Sequence, residues 1–117
     1  MDKKKVEYFK KRLVTKQEEL MRLVVKNEQD GREADGDPTQ DSADKAANSY
    51  TKEFLFKQSD ENRRILALIS EALGRMKTDM YGLCVECGEE VQQKRLEAVP
   101  WARHCLECQE KQDKGEL

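Results

Sequence analysis

Cys84-Val85-Glu86-Cys87 and Cys105-Leu106-Glu107-Cys108 decide what this chain is built around. Seventeen residues separate the two pairs, a spacing that reads as a zinc site. Zn²⁺ prefers four ligands at tetrahedral corners, and thiolates suit it. Two residues between paired cysteines let a tight turn bring both sulfurs to one ion. Gly88 frees the backbone as the first pair turns away. The chain has four cysteines and this pattern uses them all, so none is left as a nucleophile. A closed set of four thiolates offers no open coordination position and points to one structural zinc rather than a catalytic one.

Two other readings of the cysteines are weaker. Disulfides suit an exported chain, but Met1-Asp2-Lys3-Lys4-Lys5 runs into a charged helix with no apolar signal core. A thioredoxin-like redox pair needs a βαβ context that neither pair has. His104 directly precedes Cys105; with four cysteines available, it reads as an exposed residue or one that supports a ligand from behind.

Outward from the cysteines, composition favours helices. Hydrophobic residues make up 37% of the 117 and charged residues 39%, which suits a solvated helical hairpin with a narrow apolar seam better than a broad core. The formal net charge is −2, and four thiolates around one Zn²⁺ would make it more negative. No basic excess exists to drive phosphate binding by the chain as a whole. No apolar run approaches the roughly 20 residues of a membrane span. A cytoplasmic monomer is expected.

From about Asp2 to about Gln29 there is neither proline nor glycine. Val6, Phe9, Leu13, Leu20 and Leu23 form a seam, with Lys16 at the missing position and Met21 and Val24 widening it. So polar a helix needs a partner. A second helix is predicted from about Asp41 to about Met80, ending near Gly82. Ala47, Tyr50 and Phe54 open its apolar face, and Leu66, Ile69, Leu73, Met76 and Met80 continue it. Ser59 and Asn62 interrupt the seam, and such polar interruptions fix register. Similar stripes and a short connection predict antiparallel packing. The expected fold is therefore mainly α: a long antiparallel coiled-coil hairpin over residues 1–80, then a C4-type zinc-finger module with a short terminal helix over 81–117. Any strand between the cysteine pairs must be short, ended by Pro100.

The connection is acidic. Glu28 to Asp44 holds seven acids and one base, Arg32. Gly31, Gly36 and Pro38 mark a loop there, with a helix restart at Asp37-Pro38 or at Asp41 or Ser42. By charge alone this is a solvated loop whose acids favour a helix N-terminus.

Two motifs add a resemblance. Tyr81-Gly82, Cys84-x-x-Cys87-Gly88, Val91, Arg95-Leu96, Ala98, Pro100, Ala102 and Cys105-x-x-Cys108 resemble the DksA/TraR C4-type zinc finger. Asp41-Ser42-Ala43-Asp44-Lys45-Ala46 is similar to that family's coiled-coil tip. Together they cover about a third of the chain. The resemblance implies a bacterial transcription regulator of the stringent-response type. It would bind RNA polymerase rather than promoter DNA and insert its tip into the secondary channel. Asp41, Asp44 and Ala46 would then approach the polymerase active site. Lys94 and Arg95 are candidate polymerase contacts. Leu68, Val99 and Gln109 stand where family members that share guanosine tetraphosphate with the polymerase carry basic groups, so little dependence on that nucleotide is predicted.

The competing readings are a nucleic-acid-binding zinc module and a coiled-coil adaptor with a structural zinc. The first needs a basic face, yet Glu86, Glu89, Glu90, Glu97 and Glu107 surround Lys94, Arg95, Trp101 and Arg103. The second gives Asp41 and Asp44 no special role. An enzyme is not expected: there is no open metal site and His104 is the only histidine.

Overall fold

Asp2 starts the first helix. Its carboxylate accepts a bond from the Lys5 N–H at 2.8 Å and its carbonyl accepts from Val6 N at 3.1 Å, which is the geometry of an N-cap. The computed structural model describes the backbone of residues 1–34 and 42–116, and the side chains of residues 1–27, 29 and 53–116. Among the described residues four helices occur in order: α1 (Lys3–Ala34), α2 (Ser42–Met76), α3 (Gln93–Ala98) and α4 (Leu106–Asp113). No strand forms among the described residues; an isolated antiparallel bridge joins Leu83 and Glu90. The protein is mainly α, a paired-helix coiled-coil hairpin followed by a cysteine module.

The chain packs as two compact units: Met1–Lys16 with Ala67–Leu117, and Gln17–Leu66. In the first, Phe9, Leu13, Ile69 and Ala72 are buried together with Tyr81, Val91, Leu96 and Ala102 of the cysteine module. The Phe9 and Tyr81 rings lie 5.9 Å apart between centroids. In the second unit, Leu20 and Val24 are buried on α1 and Ser59 on α2. The Ser59 hydroxyl donates to the Val24 carbonyl at 3.2 Å. A buried hydroxyl that has found a backbone acceptor fixes which residues face one another, because any slip would leave it unpaired.

The seam departs from the sequence expectation at Leu23 and Met21. Both are largely exposed, and Val24 is buried instead. At about 100° per residue, Phe9, Leu13, Leu20 and Val24 fall within an arc of roughly 60°, with Leu23 about 40° outside it. The stripe follows the 3.6-residue turn of a straight helix rather than a strict heptad. Phe54, expected on the apolar face of α2, is also exposed.

The helix ends differ as well. α1 runs to Ala34, beyond the predicted end near Gln29 and through Gly31. One glycine costs a helix only about 1 kcal/mol relative to alanine, which favourable neighbours absorb. α2 stops at Met76 rather than near Met80. Asp79 takes φ 58°, and Met80 N–H reaches back to the Arg75 carbonyl at 3.0 Å. This is the left-handed cap normally served by glycine, here supplied by aspartate. Met80 therefore leaves the seam and is exposed. The segment expected to be at most a short strand contains α3, whose Lys94-Arg95-Leu96-Glu97-Ala98 are all capable helix formers.

Candidate metal centre

Two backbone devices bring the cysteines together. The first is a tight hairpin: Cys84 N–H donates to the Glu89 carbonyl at 2.7 Å, Val91 N–H to Gly82 at 2.8 Å and Gly88 N–H to Cys84 at 3.0 Å. Gly88 adopts φ 73° and Gly82 φ 85°, conformations that favour glycine. The second is the start of α4. Cys105 is its N-cap, with Sγ accepting from Cys108 N–H at 3.5 Å. The two loops are joined by Val85 N–H donating to the Arg103 carbonyl at 2.9 Å.

The result is one cluster. The sulfurs of Cys84, Cys87, Cys105 and Cys108 all lie within 4.8 Å of one another, with Cys87 and Cys105 at 3.9 Å. Four sulfurs each about 2.3 Å from a tetrahedral zinc stand about 3.8 Å apart, so the cluster has the size the metal needs. Its electrostatics agree. At Cys84, burial opposes ionisation, but backbone N–H bonds from Cys87, Cys105 and Glu86 outweigh it and bring the thiol down to about 6. At Cys108, burial and the neighbouring Cys105, Cys84 and Cys87 sulfurs push it up to about 12. The thiols thus cannot all ionise alone; a divalent cation supplies the charge that lets the last thiolates form. One structural Zn²⁺ is the cofactor of this site.

The surroundings hold the loops in place. Arg95 Nε donates to the His104 carbonyl at 2.9 Å and Nη2 to Gln109 Oε1 at 3.3 Å, tying α3 to the second loop and α4. His104 is buried at 4% exposure, with Nε2 3.9 Å from Glu86 Oε1 of the first loop. It stands beside the sulfur cluster rather than in it. Arg75 donates to the Ala102 carbonyl at 3.2 Å and to Glu71 at 2.7 Å, and Arg103 Nε meets the same Glu71 oxygen at 2.8 Å. Tyr81 OH donates to the Pro100 carbonyl at 2.8 Å. Arg12 and Tyr8 of α1 both bond Glu97 of α3, at 3.1 and 3.0 Å, and Arg12 also donates to the Glu97 carbonyl at 2.7 Å. Sequence reading could not find these links, since the partners are 85 to 89 positions apart.

The remaining predicted residues fall in two groups. Lys94 is exposed on α3, whereas Arg95 is half-buried and spends two of its N–H groups inside the module. Leu68 and Val99 are half-buried. Gln109 is engaged with Arg95, Gln112 and Asp113. Asp41 lies outside the described residues. Asp44 and Ala46 belong to the helical backbone of α2, and their side chains lie outside the described ones.

Fold and site together define a coiled-coil hairpin protein with a closed four-cysteine zinc finger. Residues 80–114 match the family described as prokaryotic dksA/traR C4-type zinc finger. The RNA polymerase-binding transcription factor DksA of Caulobacter vibrioides is 30% identical over 116 residues, covering 99% of this chain and 81% of that protein. The Escherichia coli protein of the same name is 31% identical over 68 residues, 58% of this chain and 45% of that protein. The structure of transcription factor DksA2 from Pseudomonas aeruginosa superposes with a TM-score of 0.84 at 28% identity, covering 98% of this chain and 88% of that one. The chain belongs to the DksA/TraR family.

Proposed function

We propose that this protein is a cytoplasmic, non-enzymatic regulator that binds RNA polymerase directly and alters transcription initiation through the tip of its helical hairpin. The observation that carries the reading is the likeness to a polymerase-binding transcription factor along 99% of the chain, hairpin included, and not in the zinc finger alone. In this reading the tip residues Asp41, Asp44 and Ala46 enter the secondary channel. Two carboxylates act there on groups near the active site, where screening is poor. Ala46 stays small so that the tip can approach. Lys94 contacts the polymerase from the zinc module, and Arg95 holds the surface from which it does so. The protein acts as a monomer and does not read promoter sequence.

No helix among the described residues is long and apolar enough to cross a membrane. Guanosine tetraphosphate adds little, because Leu68, Val99 and Gln109 offer no cation for its phosphates.

The test is a pair of measurements on one variant. RNA polymerase should co-purify with wild type and with Asp44→Asn at physiological salt, while the variant no longer changes initiation in a purified transcription assay. The substitution is nearly isosteric, so folding should fall by no more than about 1 kcal/mol. A variant that binds and regulates like wild type would remove the channel-tip mechanism and leave a coiled-coil adaptor.

A further inference from the structure

We propose that the exposed lysine face on the first turns of α1 is a docking surface for single-stranded nucleic acid, independent of the polymerase. Lys3, Lys4, Glu7, Tyr8 and Lys11 line a shallow depression of about 410 Å³ within the first compact unit. Lys10 lies on the same turns of the helix, Lys5 lines a second depression with Asp2 and Glu90, and all five lysines are exposed. Ion pairs of this unit join Arg12 to Glu97, Arg75 and Arg103 to Glu71, and His104 to Glu86; among the described residues none of these five lysines is in an ion pair. The one arginine nearby, Arg12, is neutralised by Glu97. In a chain of formal net charge −2, this is a local excess of positive charge, three lysines of the depression against the single carboxylate of Glu7.

The chemistry selects the occupant. Lysines are point charges that recognise phosphate without demanding a fixed fork geometry, as sequence-independent backbone binding requires. Tyr8 is 48% exposed within the same depression, its hydroxyl anchored by Glu97 and its ring held against Arg12 at 5.7 Å. An anchored ring beside cations is the pairing that single strands use, with bases stacking on the ring while phosphates meet the lysines. A membrane surface fits poorly, because the apolar side of this helix, Phe9 and Leu13, is fully buried and has nothing to insert. An acidic protein partner fits less well, since protein interfaces favour arginine over lysine. A duplex buries its bases in its own stack and would leave the Tyr8 ring without a partner.

Fluorescence anisotropy of the free, zinc-loaded full chain with a labelled oligo(dT) 20-mer tests this. Binding is expected at 50 mM salt. With three lysines releasing counterions, affinity should fall about 20-fold between 50 and 200 mM salt. The triple change Lys3→Gln, Lys4→Gln and Lys11→Gln should weaken binding at least tenfold at 50 mM and flatten the salt dependence, with helical signal and zinc content unchanged. Tyr8→Phe, which keeps the ring, should retain most binding, whereas Tyr8→Leu should lose roughly fivefold or more. Lys57→Gln, on the other unit, should change nothing. The proposal is overturned by no binding at 50 mM salt or by a triple variant that binds like wild type. It is equally overturned if a 20-base-pair duplex binds more tightly, or if poly-glutamate or anionic vesicles compete as well as the oligonucleotide at equal charge. The assay contains no polymerase, so its failure is separate from failure of the regulatory reading.

Discussion

Tyr81→Phe removes one oxygen from the join between α1 and the zinc module and leaves the ring facing Phe9 in place. The lost hydroxyl donates to the Pro100 carbonyl at 2.8 Å in a buried setting. Leaving that carbonyl unpaired should cost about 1–2 kcal/mol at neutral pH, or roughly 3–10 °C in the unfolding midpoint for a chain of this size. The cost should also depend on pH. Burial raises the Tyr81 phenol from 10.0 to about 12, against the smaller opposing pull of Arg75 and Arg12. A folded-state value above the unfolded one means that the contribution is complete below pH 10 and is lost as pH rises towards 12. About 1.4 kcal/mol of it should be gone by pH 11. Phenylalanine has no proton to lose, so the gap between wild type and variant should narrow from pH 9 to pH 11 and close or reverse beyond. Trp101, the single tryptophan, adjoins Pro100, so its fluorescence during urea unfolding reports on this unit. Equal stability at pH 8, or wild-type and variant curves that stay parallel up to pH 11, would refute the reasoning.

Replacing Cys105 with serine should release the zinc and unfold the module while most far-ultraviolet helical signal persists; purified wild type with no zinc by metal analysis would contradict the site itself. Gly82→Ala should destabilise the first unit by about 1–2 kcal/mol in thermal unfolding, mainly because Gly82 sits at φ 85°. The added Cβ would come within 2.8 Å of the flexible end of Met1, which can move, and 3.8 Å from Leu96, which need not. Guanosine tetraphosphate should add little to the protein's effect in transcription assays with a polymerase lacking its other site for that nucleotide; strong synergy would show that Leu68, Val99 and Gln109 do not mark the relevant positions.

The metal cluster was legible because its information is local: two residues between paired cysteines, a glycine after the first pair, and no spare thiol. The hairpin was legible because apolar periodicity over some thirty residues outweighs single exceptions. The same averaging hid the details. Leu23 and Val24 are adjacent apolar residues, and only the partner helix decides which of them faces inward. Asp79 stands in for a glycine at the end of α2, and an aspartate in sequence announces no left-handed turn. His104 was legible as a residue outside the ligand set, but its burial against Glu86 depends on how two loops meet. The Tyr8–Arg12–Glu97 link is a matter of tertiary packing alone. Neither of its ends carries a pattern that names the other.

The spacing of the buried α1 residues has a use for anyone who wishes to resize this protein. Phe9 to Leu20 and Leu13 to Val24 are both steps of eleven, which is close to three full turns. Excising or duplicating eleven residues therefore rotates the downstream part of the helix by only about 20°, and a seven-residue edit rotates it by about the same angle in the opposite sense. Matched edits of eleven in both helices, placed clear of Ser59 and Val24, would change the length of each helix by about 16 Å while keeping the hydroxyl-to-carbonyl peg in register. Length becomes a quantity that can be set in discrete increments, apart from the chemistry at the cysteines.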